Sequence, residues 1–216
     1  MLSQRSIKRL PGLLALLVLA GCASGPKPAA DAERADVQVG PDGQPVMAVD
    51  VPPRAMALYE QAVSIMAAGD TIDAELRFQE FLLQYPGYAG AHVNLAIIFS
   101  DRGDELAAEN ALTDALIIDP EHSVALNQLG MLLRRQGKFQ AAESAYMKAI
   151  TASPDYALAH YNLGVLNDLY LQRLDAALQH YERYQELAGE DQQVTKWIVD
   201  LKRRISAAQR TANVTE

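Results

Sequence analysis

Residues 123–156 read SVALNQLGMLLRRQGKFQAAESAYMKAITASPDY, and the spacing inside this stretch decides the fold. Leu126, Leu129, Gly130 and Leu133 recur at the three-to-four residue interval of one helix face, and Gly137 follows. Phe139, Ala142, Tyr146 and Ala149 then mark a second face, which runs up to Pro154. Glycine enters the left-handed conformation that ends many helices, so Gly137 reads as the stop of the first. Proline lacks the backbone donor and clashes with the preceding turn, so Pro154 stops the second. The stretch predicts two antiparallel helices. Leu129, Leu133 and Tyr146 fill the space between helices, and Gly130, Ala142 and Ala149 sit where backbones approach closely.

The same pattern recurs outward from this unit. Pro86, Pro120 and Pro154 stand 34 residues apart, which sets units at 55–88, 89–122, 123–156 and 157–190. The second unit repeats the pattern with His92, Leu95, Ala96, Phe99, Gly103, Ala108, Leu112, Ala115 and Pro120. The first keeps Leu58, Ala62, Ile65, Gly69, Ala74, Phe78, Phe81 and Pro86. The fourth has one extra residue before Ala177, places Asn167 at an apolar position, and replaces the closing Ala and Pro by Tyr184 and Gly189. Its turn, Leu169 to Arg173, is therefore expected to be longer. This pattern resembles the tetratricopeptide repeat (TPR) over residues 55–190. The resemblance implies an all-α superhelix of about four helix-turn-helix repeats, because no unit buries its apolar faces alone.

A further helix is expected to cap the stack over 191–210. Asp191 stands at its start, and Val194, Trp197, Ile198, Leu201, Ile205 and Ala208 share one face. Trp197 reads as a core residue of that cap. Lys202, Arg203 and Arg204 suit a helix C-terminus, and residues 211–216 read as a frayed tail.

The N-terminal 53 residues differ in kind. Arg5, Lys8 and Arg9 precede an apolar run from Leu10 to Ala20, with no acidic residue before Cys22. The run is shorter than the ~20 residues a spanning helix needs, and it fits a secretory signal over 1–21. Leu19-Ala20-Gly21-Cys22 resembles the bacterial lipobox. That resemblance implies lipidation of Cys22 and cleavage before it, and Ala23 in place of Asp implies an outer-membrane destination facing the periplasm. Residues 22–53 hold Pro26, Pro28, Pro41, Pro45, Pro52 and Pro53 with three glycines and no helical period. They read as a flexible linker, with a turn at Gly40-Pro41-Asp42-Gly43.

Composition narrows the partners. With 19 Lys+Arg against 27 Asp+Glu the chain carries a net charge of −8, which argues against nucleic acid, whose affinity comes from cations neutralising phosphates. Removing 1–21 takes three basic and no acidic residues, moving −8 to −11. One cysteine excludes an internal disulfide and a multi-thiolate metal site. No nucleophile, metal-ligand or phosphate-binding motif is present; the four histidines form no ligand pairs, His92 and His160 share a packing position of the first helix, and His122 and His180 lack a nearby Cys or carboxylate pattern typical of metals. The sequence is read as a non-enzyme without cofactor or metal.

In TPR arrays the first helix of each unit lines a groove. The resemblance places Met56, Tyr59, Val63 and Met66 there, with Val93, Ile97, Asn127, Met131, Arg134, Arg135, Tyr161, Val165 and Asp168. Methionine and tyrosine suit an adaptable protein-binding strip, with Arg134 and Arg135 meeting an acidic group. The alternative is that the strip is covered by neighbouring helices or by a second protomer in a homodimer. The whole is similar to small envelope TPR lipoproteins associated with pilus assembly, secretion or TonB-type systems. That implies a scaffold bound to envelope proteins through the groove and to the membrane through Cys22. The rival reading is a binding module that regulates peptidoglycan enzymes or binds peptide segments of the wall machinery.

Overall fold

The computed structural model describes residues 38–39, 45–46 and 52–214. The chain divides into two units, Met1–Asp36 and Val37–Glu216, and the described residues belong to the second. The signal segment 1–21 and Cys22 lie outside them. Within the stretch read as linker, β1 (Gln38–Val39) pairs antiparallel with β2 (Pro45–Val46), Gln38 opposite Val46. A Gly-Pro-Asp-Gly turn sequence between two β-branched valines favours such a ladder.

The rest of the described chain is helical. The four units are α1 (Pro53–Ala67) with α2 (Thr71–Gln84), α3 (Ala89–Arg102) with α4 (Glu105–Ile118), α5 (Ser123–Arg135) with α6 (Phe139–Ala152), and α7 (Ala157–Leu169) with α8 (Leu174–Ala188). α9 (Gln192–Val214) follows. Local chemistry sets the ends. Asp70 and Asp104 each accept from the backbone N–H three residues on, at 3.1 Å. Gly103 closes α3 at φ 82°. α2, α4 and α6 stop two residues before their prolines, with Tyr85, Asp119 and Ser153 out of helical conformation, as a following proline imposes.

The fourth unit departs where the sequence does. Its turn holds four residues, 170–173, and Gln172 takes φ 54°, a left-handed value without a glycine. Asn167, polar where the other units are apolar, is 2 % exposed; its Nδ2 donates to the Leu163 carbonyl at 2.9 Å, while its buried Oδ1 has no partner among the described residues.

Stacking leaves a legible record in burial. Ala91, Ala125 and Ala159 are fully buried, while Ala57, at the same repeat position in the first unit, is exposed. Ile98, Leu132 and Leu166 are likewise buried, and their first-unit counterpart is the exposed Ser64. Gln61 stands exposed where Leu95 and Leu163 are buried. The outer face of α1 is therefore polar, as the end of a repeat stack requires.

Two expectations need correction. Gly130 does not admit a neighbouring backbone: a Cβ there would stand 2.5 Å from Cε1 of Tyr146, so glycine makes room for a ring. Gly164 does the same for Tyr181, at 2.6 Å. α9 also runs to Val214 instead of ending at Arg210, because its Thr-Ala-Asn continuation holds no helix breaker. Thr211, in the tail read as frayed, donates its hydroxyl to the Ala207 carbonyl. Lys202, Arg203 and Arg204 thus sit mid-helix and act by pairing, with Glu182, Asp200 and Asp168 respectively.

Candidate protein-interaction groove

α3 packs beside α5 and α5 beside α7, and Val63, Ile97, Met131 and Val165 hold the same repeat position in the four first helices, a row along the stack. The structure divides the strip read from the sequence into two closed ends and an open middle. At the first end Tyr59 packs against Phe78, Phe81 and Tyr88, with ring centroids 5.7, 5.6 and 4.8 Å away. Its hydroxyl accepts from Asn94 Nδ2 at 2.9 Å. Burial raises its pKa, aided by Tyr88 and opposed by the Asn94 bond. Met66 packs against the same cluster, while Met56 is half-buried.

Two of the proposed contact residues are core. Val93 is 3 % exposed and belongs to the cluster of the first two units. Asn127 is 1 % exposed and accepts from Asn162 Nδ2 at 3.0 Å, a buried amide bridge between α5 and α7. Neither side chain presents surface to a partner; stacking the next first helix covers both.

At the far end the cap does the covering. Trp197 of α9 lies 6.0 Å from Tyr161 and 5.5 Å from Tyr181, centroid to centroid. Val165 packs into the cluster built around Val194, Ile198 and Leu201. Asp168 is 9 % exposed, and its carboxylate accepts from Arg204 Nη1 at 2.7 Å. Asp168 is therefore partnered within the chain, a role that could be read only by placing Arg204 one helix further on.

The open middle holds Val63, Ile97, Met131, Arg134 and Arg135. Val63 is 37 % exposed, and Ile97, Met131 and Arg134 are half-buried. The two arginines differ. Arg135 donates to the Ser100 hydroxyl and stands 3.9 Å from the Glu105 carboxylate, so it braces α5 against the second unit. Arg134 has no hydrogen-bond or ion-pair partner among the described residues. Its charge acts on the hydroxyls of Tyr146 and Tyr181. Tyr146 is fully buried, and its hydroxyl has no partner among the described residues. Burial pushes its pKa up to about 12 against the pull of Arg134 and Arg135. Leu169 and Tyr170, at the end of α7, are 65 % and 45 % exposed.

Two of the histidines meet. His160 and His180 face each other, Nδ1 to Nδ1 at 3.2 Å, and His160 Nε2 lies 3.2 Å from the Pro154 carbonyl. A carbonyl only accepts, so His160 carries its proton on Nε2, and His180 Nδ1–H donates to the bare Nδ1 of His160. Burial lowers both pKa values; His180, with His160 as the second cause, falls to about 4. The extra residue before Ala177 was the signal, since it moves His180 to the place of Ala145 and Ala111. Among the described residues no group of three or more His, Cys, Asp or Glu side chains is placed to hold a metal ion.

Residues 127–191 match the family model of the tetratricopeptide repeat. The fold is the tetratricopeptide-repeat superhelix. A Pseudomonas aeruginosa pilF protein structure is similar at 24 % identity and TM-score 0.64, over 73 % of this chain and 72 % of that one. MamA of Desulfovibrio magneticus is similar at 17 % identity and TM-score 0.59, over 75 % and 91 %. The first TPR of Spaghetti (RPAP3), solved with an HSP90 peptide SRMEEVD, is similar at 23 % identity and TM-score 0.51, over 55 % and 93 %. No curated protein matches the chain. At these identities the likeness is one of fold. Among the described residues no helix is long and apolar enough to cross a membrane.

Proposed function

We propose that this chain is a non-enzymatic, lipid-anchored scaffold of the outer membrane, facing the periplasm, that holds partner proteins of an envelope assembly in the groove of its TPR stack. The observation that carries the reading is the row Val63, Ile97 and Met131, one repeat position in three successive first helices and each exposed or half-buried, with the half-buried Arg134 three residues after Met131. A rigid apolar row with a cation at its edge suits a peptide segment better than a small molecule, which would need an enclosed cavity. A solved neighbour of the same fold takes a peptide, which supports the groove as the contact surface. The pilus role suggested by the pilF likeness belongs to the proposal in the same way. The anchor rests on Leu19-Ala20-Gly21-Cys22. Two or three acyl chains bind a bilayer far more firmly than one, which binds only marginally.

Two experiments test the parts separately. Cys22→Ala should abolish incorporation of labelled palmitate and release the chain from membranes; retention of both would refute the anchor. Cross-linking of the full-length chain in cells should yield pilin-, secretin- or TonB-type partners, and Ile97→Asp should remove those links. Links to wall hydrolases or synthases would instead favour the peptidoglycan reading. Links untouched by Ile97→Asp would place the contact outside the groove.

A further inference from the structure

Resting on the groove reading, we infer that Arg134 selects the partner: the groove takes a segment in which one carboxylate, set among apolar side chains, meets the Arg134 guanidinium. The inference separates two arginines that stand side by side in the sequence. Arg135 is engaged with Ser100 and Glu105. The one groove-facing carboxylate of α7, Asp168, is engaged with Arg204. Arg134 is half-buried and has no hydrogen-bond or ion-pair partner among the described residues, and Leu169 and Tyr170 at the end of α7 are exposed. The Tyr146 hydroxyl, on which the Arg134 charge acts, is buried and without a partner among the described residues.

A guanidinium partly removed from water attracts a carboxylate more strongly than one at the open surface, and can engage it through two parallel bonds. Arginine and tyrosine are among the residues enriched in interface hot spots. A neutral isostere at the contact position would leave Arg134 desolvated and unpaired, and a cation would be repelled. The site thus discriminates by charge, and the apolar row supplies affinity without regard to order.

The test uses the full-length chain and an array of capped octapeptides with a central Glu, Gln or Lys flanked by Leu, Ile, Met, Tyr and Phe. The unaltered chain should capture Glu peptides about tenfold more tightly than their Gln twins, and Lys peptides least. Arg134→Gln should erase the Glu preference while capture of apolar sequences persists, and Arg135→Gln should keep it. Circular dichroism checks that each variant is folded. Equal capture of Glu and Gln twins by the unaltered chain, or a Glu preference that survives Arg134→Gln, overturns the inference and leaves the groove reading standing. Capture indifferent to Ile97→Asp, or no capture at all, overturns the groove reading beneath it as well.

Discussion

The pairing of Gly130 with Tyr146 gives the sharpest test of how this repeat is built. A methyl group at Gly130 would lie 2.5, 2.6 and 2.9 Å from three atoms of the Tyr146 ring. Carbon atoms rest at about 3.5–4.0 Å, and the ring is fully buried and cannot swing away. Overpacking of this severity costs about 3 kcal/mol. Alanine is the better helix former by about 1 kcal/mol, so Gly130→Ala should lose about 2 kcal/mol net. The second unit shows an alternative solution, with Ala96 and Leu112 at the same two positions. Tyr146→Leu should therefore reverse the sign: beside the smaller leucine side chain the alanine methyl fills space, and Gly130→Ala becomes stabilising by about 1 kcal/mol. The implied coupling of about 3 kcal/mol is large for a double-mutant cycle. Urea denaturation of the four proteins, followed by circular dichroism, measures it. Additive effects, or a neutral Gly130→Ala with Tyr146 in place, would refute the steric argument.

Other consequences follow from single features. Gly103→Ala should cost about 1 kcal/mol through backbone conformation alone, since φ is 82° and nothing lies within 4 Å of the new Cβ; a loss as large as at Gly130 would contradict this. Gln172→Gly, by relieving φ 54°, should stabilise the chain by about 0.5 kcal/mol in urea denaturation, the strain relieved exceeding the extra chain entropy. His180 has a folded pKa of about 4 against an unfolded value of about 6.5. Stability should then be flat above pH 6.5, fall as the unfolded chain takes up the proton the folded one refuses, and level below about pH 4. After allowance for solvent access the loss is about 1–2 kcal/mol, and His180→Ala should flatten the profile seen in thermal melts. Arg204→Met should strip the partner from the buried Asp168 carboxylate and cost about 2 kcal/mol. Adding Asp168→Asn should recover most of that, read from Trp197 fluorescence in urea.

What the sequence made legible was what recurs. Pro86, Pro120 and Pro154 each act within their own turn, and Gly103 needs only its own φ, so reading one unit predicts the others. The same holds for helix ends set by Asp70 and Asp104, whose partners lie three residues away. Side chains whose partners sit in the next unit were harder. Asn127 and Val93 occupy positions that face a groove in an isolated pair of helices, and only the adjoining first helix turns them into core. Asp168 followed the same logic one unit later, where α9 stands in for a fifth first helix and delivers Arg204. His160 and His180 depended on register: one extra residue before Ala177 shifts the second histidine from the ring position, which Tyr181 takes, to the alanine position that faces the first.

This difference bears on where specificity resides. A repeat position that is spent on stacking in every unit is constrained by its neighbours, and so carries little information about a partner. Ala91, Ala125 and Ala159 are of that kind, each fully buried at a unit boundary. The open row is different, because Val63, Ile97 and Met131 change identity from unit to unit while all remain apolar. They supply area without dictating order. Arg134 breaks that uniformity, for the same position holds Met66 and Ser100 in the two units before it and the paired Asp168 in the unit after. A partner segment sliding along the apolar row would find one register in which a carboxylate is matched, and every other register would leave that carboxylate beside apolar side chains. The cost of burying an unpaired charge then fixes the register, so a single arginine is sufficient to order a segment that the row alone would hold in several positions.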